Sequence, residues 1–194
     1  GPRPLPSRRS GPVMTPPPGE PPSGELPDQL SVRPLTPDDD TSSFSCGDDV
    51  LDLWLHQHAW SSQRRRTAAT QVLTDAAGGT AHAPVLGYYS LASTSIATDG
   101  LPRRLGRGQL AILPAILLAR LAVDQQLHGQ SIGGALLSHA IRTADRAGRV
   151  VAARLLVVDA IDDRAASFYR HYGFTPLTRS HSRERLAAVI SHLL

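Results

Sequence analysis

The chain contains no lysine and no asparagine, and it has one cysteine and one methionine in 194 residues. A lone Cys46 cannot close an internal disulfide, and no cysteine and histidine grouping has zinc-ligand spacing. Neither a disulfide framework nor a bound metal is expected. No apolar run reaches the roughly 18 residues that a membrane helix needs. Prolines and arginines stand at the N-terminus, where a signal peptide would need an apolar stretch. The expectation is a soluble, cytoplasmic protein with no membrane partner. All 20 basic side chains are arginine, which with the missing asparagine fits the coding bias of a GC-rich bacterial genome. The absence of lysine therefore says little about function.

A hydrophobic content of 41% over this length is enough for one self-supporting domain. The net charge of +3 is modest for a nucleic-acid binder. Its distribution matters more, because Arg64, Arg65 and Arg66, and then Arg103, Arg104 and Arg107, are clustered. An RNA or phosphate partner is allowed, and a solvated arginine-rich face is the alternative reading.

Residues 1–29 hold most of the proline, glycine and serine and almost no periodic apolar residues. They read as a disordered, Pro-rich tail, because they bury too little to offset the entropy of ordering. Residues 30–194 then alternate strand and helix signals. A strand is expected near Leu30 to Leu35, and an amphipathic helix from Asp48 with Val50, Leu51, Trp54 and Leu55 on its buried face. Residues 68–74 and 84–97 read as an antiparallel hairpin turning at Gly78-Gly79. Residues 115–124 are almost continuously apolar, as in a central strand covered on both faces. A helix is expected from Ser131 to Ala147, stopped by Gly148, then a buried strand over 150–159. A helix from Asp162 to Tyr172 follows, closed by Gly173. For Leu186 to Leu193 a strand is favoured over a helix.

The stretch with chemical content is Leu118-Ala119-Arg120-Leu121-Ala122-Val123-Asp124, followed by Gln125-Gln126-Leu127-His128-Gly129-Gln130-Ser131-Ile132-Gly133-Gly134. A buried strand running into a glycine-rich loop that opens a helix aims backbone N–H groups and the positive end of the helix dipole at one point. Such a point binds anions, and glycine lets phosphates approach the amides. The dinucleotide fingerprint G-x-G-x-x-G does not match the spacing of Gly129, Gly133 and Gly134. Taken alone, the loop also reads as a tight strand-to-helix turn.

This stretch resembles motif A of the GNAT acetyltransferases, in which an apolar strand ending in V-D precedes Q/R-x-x-G-x-G/A at a helix start. The resemblance continues through Phe44-Ser45-Cys46-Gly47 with Leu51-Asp52-Leu53-Trp54-Leu55, through Gly87-Tyr88-Tyr89-Ser90-Leu91 and through Val158-Asp159-Ala160. It ends with Ala165-Ala166-Ser167-Phe168-Tyr169 and Tyr172-Gly173-Phe174. Over residues 31–178 the order is similar to the TacT-like branch, the toxins of type II toxin-antitoxin systems. Two positions depart from the motif: His128 stands at the usual Gln/Arg position, and Ser131 at a usual glycine. His128 can still donate a hydrogen bond, and Ser131 can act as an N-cap with its hydroxyl near a phosphate.

The resemblance implies an α/β (α+β) GNAT fold, a mixed and mostly antiparallel sheet splayed at its central parallel strands and flanked by helices. It implies acetyl-CoA as acetyl donor. The backbone of Leu121, Ala122 and Val123 would hold pantetheine, and His128, Gly129, Gln130, Ser131, Ile132, Gly133 and Gly134 the pyrophosphate. Asp159 and Phe168 would complete the cofactor site. Tyr169 is placed as the general acid toward the departing thiolate, although its helical face also suits a core residue, and Tyr172 is the runner-up. No carboxylate or histidine stands out as a base, which leans toward an α-amine acceptor, whose pKa of about 7.7 to 8.0 leaves much of it neutral. His56, His58, His139, His171, His181 and His192 read as surface or locally hydrogen-bonded.

The function implied is acetylation of the α-amine of aminoacyl-tRNA, blocking translation. The arginines Arg64, Arg65, Arg66, Arg103, Arg104, Arg107 and Arg120 would meet the RNA. A ribbon-helix-helix antitoxin and a second copy of the chain are the implied protein partners. An N-acetyltransferase acting on a small-molecule or protein amine remains the alternative, and a coenzyme-binding module without turnover a third reading.

Overall fold

A computed structural model describes residues 24–77, 82–99, 101–102, 105–106, 110–180 and 183–194. Gly78-Gly79, Arg103, Arg104, Arg107 and His181 fall outside the described residues, as do residues 1–23. Residues 24–29, placed by composition in the tail, touch the folded body. Leu26 packs against the main core, and the Gln29 carbonyl accepts from the Ala76 N–H at 2.7 Å.

Seven strands form one sheet in the order β1-β2-β3-β4-β5-β7-β6. They are β1 (Leu30–Pro34), β2 (Ala69–Asp75), β3 (Gly87–Ala97), β4 (Ile112–Val123), β5 (Leu155–Ala160), β6 (Thr175–Ser180) and β7 (Arg183–Val189). β4 and β5 pair in parallel, while β1–β2, β2–β3, β3–β4, β5–β7 and β6–β7 are antiparallel. The expected mixed sheet with a central parallel pair is present, and the 68–74 and 84–97 segments do pair as antiparallel neighbours.

Helix α1 (Asp49–Gln57) starts where the Asp48 carboxylate accepts from the Val50 and Leu51 N–H groups at 2.9 and 3.0 Å. The expected continuous helix breaks at His58, and α2 (Ala59–Arg64) follows. Both cover one face of the sheet over a cluster of Phe44, Trp54, Leu55, Ala59, Val72, Val85, Tyr88 and Ala122. Helices α3 (Ile132–Val151) and α4 (Asp163–His171) contribute to the larger cluster that contains Leu73, Tyr89, Leu118 and Leu156. α4 is capped by Asp162, which accepts from the Ala165 N–H at 2.7 Å.

Three boundaries differ from expectation. α3 does not stop at Gly148 but runs to Val151, and the strand expected from 150 begins at Leu155. Gly148 is there for space: a Cβ on it would lie 2.6 Å from the Ala153 carbonyl oxygen. The chain folds back over it, with the Ala153 N–H donating to the Gly148 carbonyl at 3.0 Å. Val150 and Val151 have strand-forming side chains, yet end the helix 85% and 62% exposed, so hydrogen bonding in the last turn overrides their propensity. At the end of the chain β7 starts earlier than expected, pairs with a strand β6 that the apolar pattern did not signal, and gives way to a 3-10 turn at Ile190–His192. Among the described residues no helix is long and apolar enough to cross a membrane.

Candidate active site

β4 places the site. Its register against β3 runs Ser90↔Arg120 and then Leu91↔Leu118, so Ala119 is an extra residue, a β-bulge. One inserted residue reverses the side-chain alternation. Ile116 and Leu118 before it, and Leu121 and Val123 after it, all face the α3 and α4 side, whereas Ala122 faces α1 and α2. β5 pairs with β4 only from Ala115 to Leu118. Beyond the bulge the strands part, and the edge of Leu121, Ala122 and Val123 toward β5 has no strand partner. A backbone edge of alternating N–H and C=O groups suits an extended amide-bearing arm.

At the end of this gap the Asp124 carboxylate, 4% exposed, accepts from the Ser45 and Gln126 N–H groups at 3.0 Å each. It ties the Phe44–Gly47 segment to the loop. Gly47 suits that junction because its φ of +88° lies where L side chains are rare. Gly129 has φ +79° with open space around it. Among the described residues the N–H groups of Gly129, Ser131, Ile132, Gly133 and Gly134 donate to no protein acceptor. These amides and the positive end of a 20-residue helix converge in a geometry that suits an anion.

The two departing positions behave differently from expectation. Ser131 precedes α3 at the N-cap position, but its hydroxyl makes no capping hydrogen bond. Its φ of +61° lies in the left-handed region, where a serine costs about 1 kcal/mol or more and a glycine does not. His128 turns back on the strand, and its Nε2 lies 2.9 Å from the Val123 carbonyl. Since a carbonyl only accepts, that nitrogen donates to the protein. Gly134 makes room for Tyr172: a Cβ there would be 2.4 Å from the Tyr172 hydroxyl oxygen. Gly133 lies against Phe168. The Gln130 side-chain amide donates to the Gln126 carbonyl at 3.2 Å, and Ile132 is buried. The Asp159 carboxylate takes a bidentate pair from Arg185 at 2.7 and 2.8 Å.

Tyr169 is 8% exposed, with its ring edge-on to Phe168 and Phe174 at 5.3 and 5.5 Å. Its ring is therefore core, as one of the two readings held. Among the described residues its hydroxyl makes no hydrogen bond, yet it is not a fully enclosed orphan, a state found only at His171 Nε2. Burial pushes its pKa well above the ordinary tyrosine value, so the proton stays on near neutrality. Tyr172 is half-buried and edge-on to Phe168 at 4.9 Å.

The opposite face carries the arginines. Arg120 projects toward α1, its guanidinium carbon 4.0 Å from the Trp54 ring. Arg64 ends α2, Arg65 caps it and Arg66 follows at φ +58°, all three exposed. Leu101 and Leu105 pack with Ile96, Leu113 and Leu155 on a third cluster. Of the histidines, His139 hydrogen-bonds Tyr89 and His56 the Phe44 carbonyl. His171 departs from the expectation of a surface or locally bonded group, because α4 packing encloses its Nε2 without a partner. Asp124 and Trp54 stand beside the site in positions that the sequence reading did not single out, Asp124 joining Ser45 to the loop and Trp54 meeting Arg120. Asp124 was visible only as part of a motif, and Trp54 only as a core position.

Residues 92–176 match the family profile described as an acetyltransferase (GNAT) domain. The chain is 34% identical over 142 residues, covering 73% of it and 82% of the relative, to a tRNA-acetylating toxin of Mycobacterium tuberculosis. The structure of AtaT complexed with acetyl-methionyl-tRNAfMet superposes with a TM-score of 0.75 at 29% identity, covering 84% of this chain and 95% of that one. An AtaT mutant toxin bound to the C-terminus of the antitoxin AtaR and acetyl-CoA superposes with a TM-score of 0.71 at 28% identity, over 86% and 96%. The chain belongs to the GNAT acetyltransferases, alongside their tRNA-acetylating toxins.

Proposed function

We propose that the protein transfers the acetyl group of acetyl-CoA to the α-amine of an aminoacyl-tRNA, and so blocks translation as the toxin of a toxin-antitoxin pair. The observation that carries this reading is the continuous path on β4. An unpaired edge at Leu121–Val123 leads into unpaired amides at Gly129–Gly134, with a protonated Tyr169 hydroxyl on the same side and arginines on the other. Pantetheine extends along the edge and the pyrophosphate sits on the amides.

The neutral amine approaches from the α1 and α2 face and forms a C–N bond to the thioester carbonyl carbon. The tetrahedral intermediate collapses by breaking the C–S bond, and Tyr169 gives its proton to the departing sulfur while the ammonium proton leaves to water. A phenol fits that step because charge builds on sulfur as the bond breaks. Arg64, Arg65, Arg66, Arg103, Arg104, Arg107 and Arg120 meet RNA phosphates. In the cell the protein acts in the cytoplasm as a homodimer, and a ribbon-helix-helix antitoxin covers the site. A relative that acetylates tRNA and a neighbour holding an acetylated charged tRNA support this acceptor.

Radiolabelled acetyl-CoA tests the reading directly. Label should enter charged tRNA and be absent from the same tRNA after deacylation. Label transferred as efficiently to small amines as to charged tRNA would instead indicate a small-molecule N-acetyltransferase.

A further inference from the structure

The strand register fixes which backbone groups of β4 look into the gap. Asp124 donates its N–H to the Leu86 carbonyl at 2.9 Å, and Val123 stands opposite Gly87. Successive residues of a strand turn their N–H and C=O groups to alternate sides. Ala122 and Asp124 therefore bond toward β3, and Leu121 and Val123 turn theirs the other way. β5 pairs with β4 only as far as Leu118, so the groups of Leu121 and Val123 face no strand.

One of those groups is already engaged. The Val123 carbonyl accepts from His128 Nε2 at 2.9 Å, from a side chain five residues further along the chain. The backbone between them is shaped for that return. The Asp124 carboxylate accepts from the Gln126 N–H, Gln125–Leu127 make one 3-10 turn, and the His128 N–H donates to the Gln125 carbonyl at 3.1 Å. His128 itself is exposed, so little packing accompanies the bond to Val123. A contact of that kind is cheap to break.

An arm that carries amides and fills the gap as an extra strand would aim an N–H at the Val123 carbonyl, as β5 would had its pairing continued. The imidazole N–H is on that acceptor at full hydrogen-bond distance. Ring and arm therefore draw on the same oxygen.

We infer that His128 is a latch on the donor site: its side chain satisfies the Val123 carbonyl in the free enzyme, and the pantetheine arm of the donor displaces it on binding. This rests on the arm lying along Leu121–Val123, as proposed above, and is independent of which amine accepts the acetyl group. It reverses the role that the motif position implies, because His128 then costs donor affinity instead of adding to it.

The test uses the full chain with two ligands, acetyl-CoA and acetyl-pantetheine, the second of which carries the thioester and the amides but no phosphate. His128→Ala should bind acetyl-pantetheine about 2- to 10-fold more tightly than wild type, the net worth of one hydrogen bond. Its Tm without ligand should change little, because the side chain is exposed. The carbon-13 shift of the Val123 carbonyl, which follows its hydrogen bonding, is read in parallel. Free wild type and free His128→Ala should differ, and saturating acetyl-CoA should bring both to a common value.

Equal affinities for acetyl-pantetheine overturn the inference, and weaker binding by the variant does so by making His128 a ligand of the donor. A carbonyl shift that is the same in the two free proteins overturns it as well. So does a shift that still differs at saturation, since a carbonyl oxygen can accept twice and ring and arm would then share it. If acetyl-CoA binds but moves the Val123 carbonyl in neither protein, the placement of the arm itself fails. That result is distinct from a carbonyl that responds in both proteins with no gain in affinity for the variant, which defeats only the latch.

Discussion

A phenol serves as an acid only while it keeps its proton, and the Tyr169 ring is packed so that it does. Phe168 and Phe174 surround it and burial raises its pKa, so the protonated form persists far above neutrality. Tyr169→Phe keeps those ring contacts and removes the proton. Turnover should fall on the order of 10² to 10⁴-fold, about 3 to 5 kcal/mol of transition-state stabilisation. Acetyl-CoA affinity and Tm should barely move. The pH profile should carry the same signature: kcat/KM rises as the acceptor amine loses its proton near pH 8 and shows no falling limb before about pH 10. A variant as active as wild type removes the hydroxyl from the mechanism. At this scale the sequence was legible where a position's packing follows from helical spacing, as at Tyr169, whose ring is buried on the α4 face with Phe168 and Phe174 beside it. It was not legible at Ser131, where the backbone adopts φ +61°, nor at His128, where the nearest acceptor is the protein's own Val123 carbonyl.

Between elements, α3 is tied to β3 by a polar contact inside an apolar seam. The Tyr89 hydroxyl, on a ring buried at 0% exposure, lies 2.9 Å from His139 Nδ1 and 3.0 Å from Thr143 Oγ1. Burial pushes Tyr89 up to about 12. His139 is held below the ordinary histidine value by burial first, then by Arg142 and Arg146. A depressed folded-state pKa means that the unfolded chain takes the proton more readily. The stability from His139 is therefore present above the unfolded value of about 6.5 and is lost as pH falls through the folded one. Thermal melts of wild type should drop in Tm between pH 7.5 and 5, and His139→Gln should show a shallower drop. Equal slopes would mean that other groups carry the acid sensitivity. Helix and strand order was readable from periodicity, since long amphipathic stretches such as α3 impose their pattern. The bulge at Ala119 was not, because residues 115–124 are almost continuously apolar and give no alternation from which a shift could be seen. Gly148 misled for a related reason: a glycine required by the close approach of Ala153 has the same letter as one that ends a helix.

For the whole molecule, the function proposed above puts the two substrates on two faces of one sheet, the donor's phosphates at the amides before α3 and the acceptor on the side where α2 ends in Arg64. That division could not be read from linear order, because Arg64 to Arg66 and Arg120 are far apart in the chain and share a face only through the sheet. Arg64, Arg65 and Arg66 are exposed, and among the described residues none of them enters an ion pair. Their removal should therefore leave the fold intact, since exposed substitutions of this kind usually change stability by less than about 0.5 kcal/mol. If they neutralise RNA phosphates, binding releases counterions and weakens with salt at a slope of about −0.7 to −0.9 per contact. Replacing all three by alanine should raise KM for charged tRNA on the order of tenfold at moderate salt. The slope of log KM against log salt should flatten by roughly 2 to 3. Rates on an amino-acid amide and the Tm shift produced by acetyl-CoA should stay as in wild type, because neither depends on RNA. If the amide rate falls in parallel, the three arginines support the body of the enzyme. If the tRNA rate and its salt slope are both unchanged, they are a solvated face.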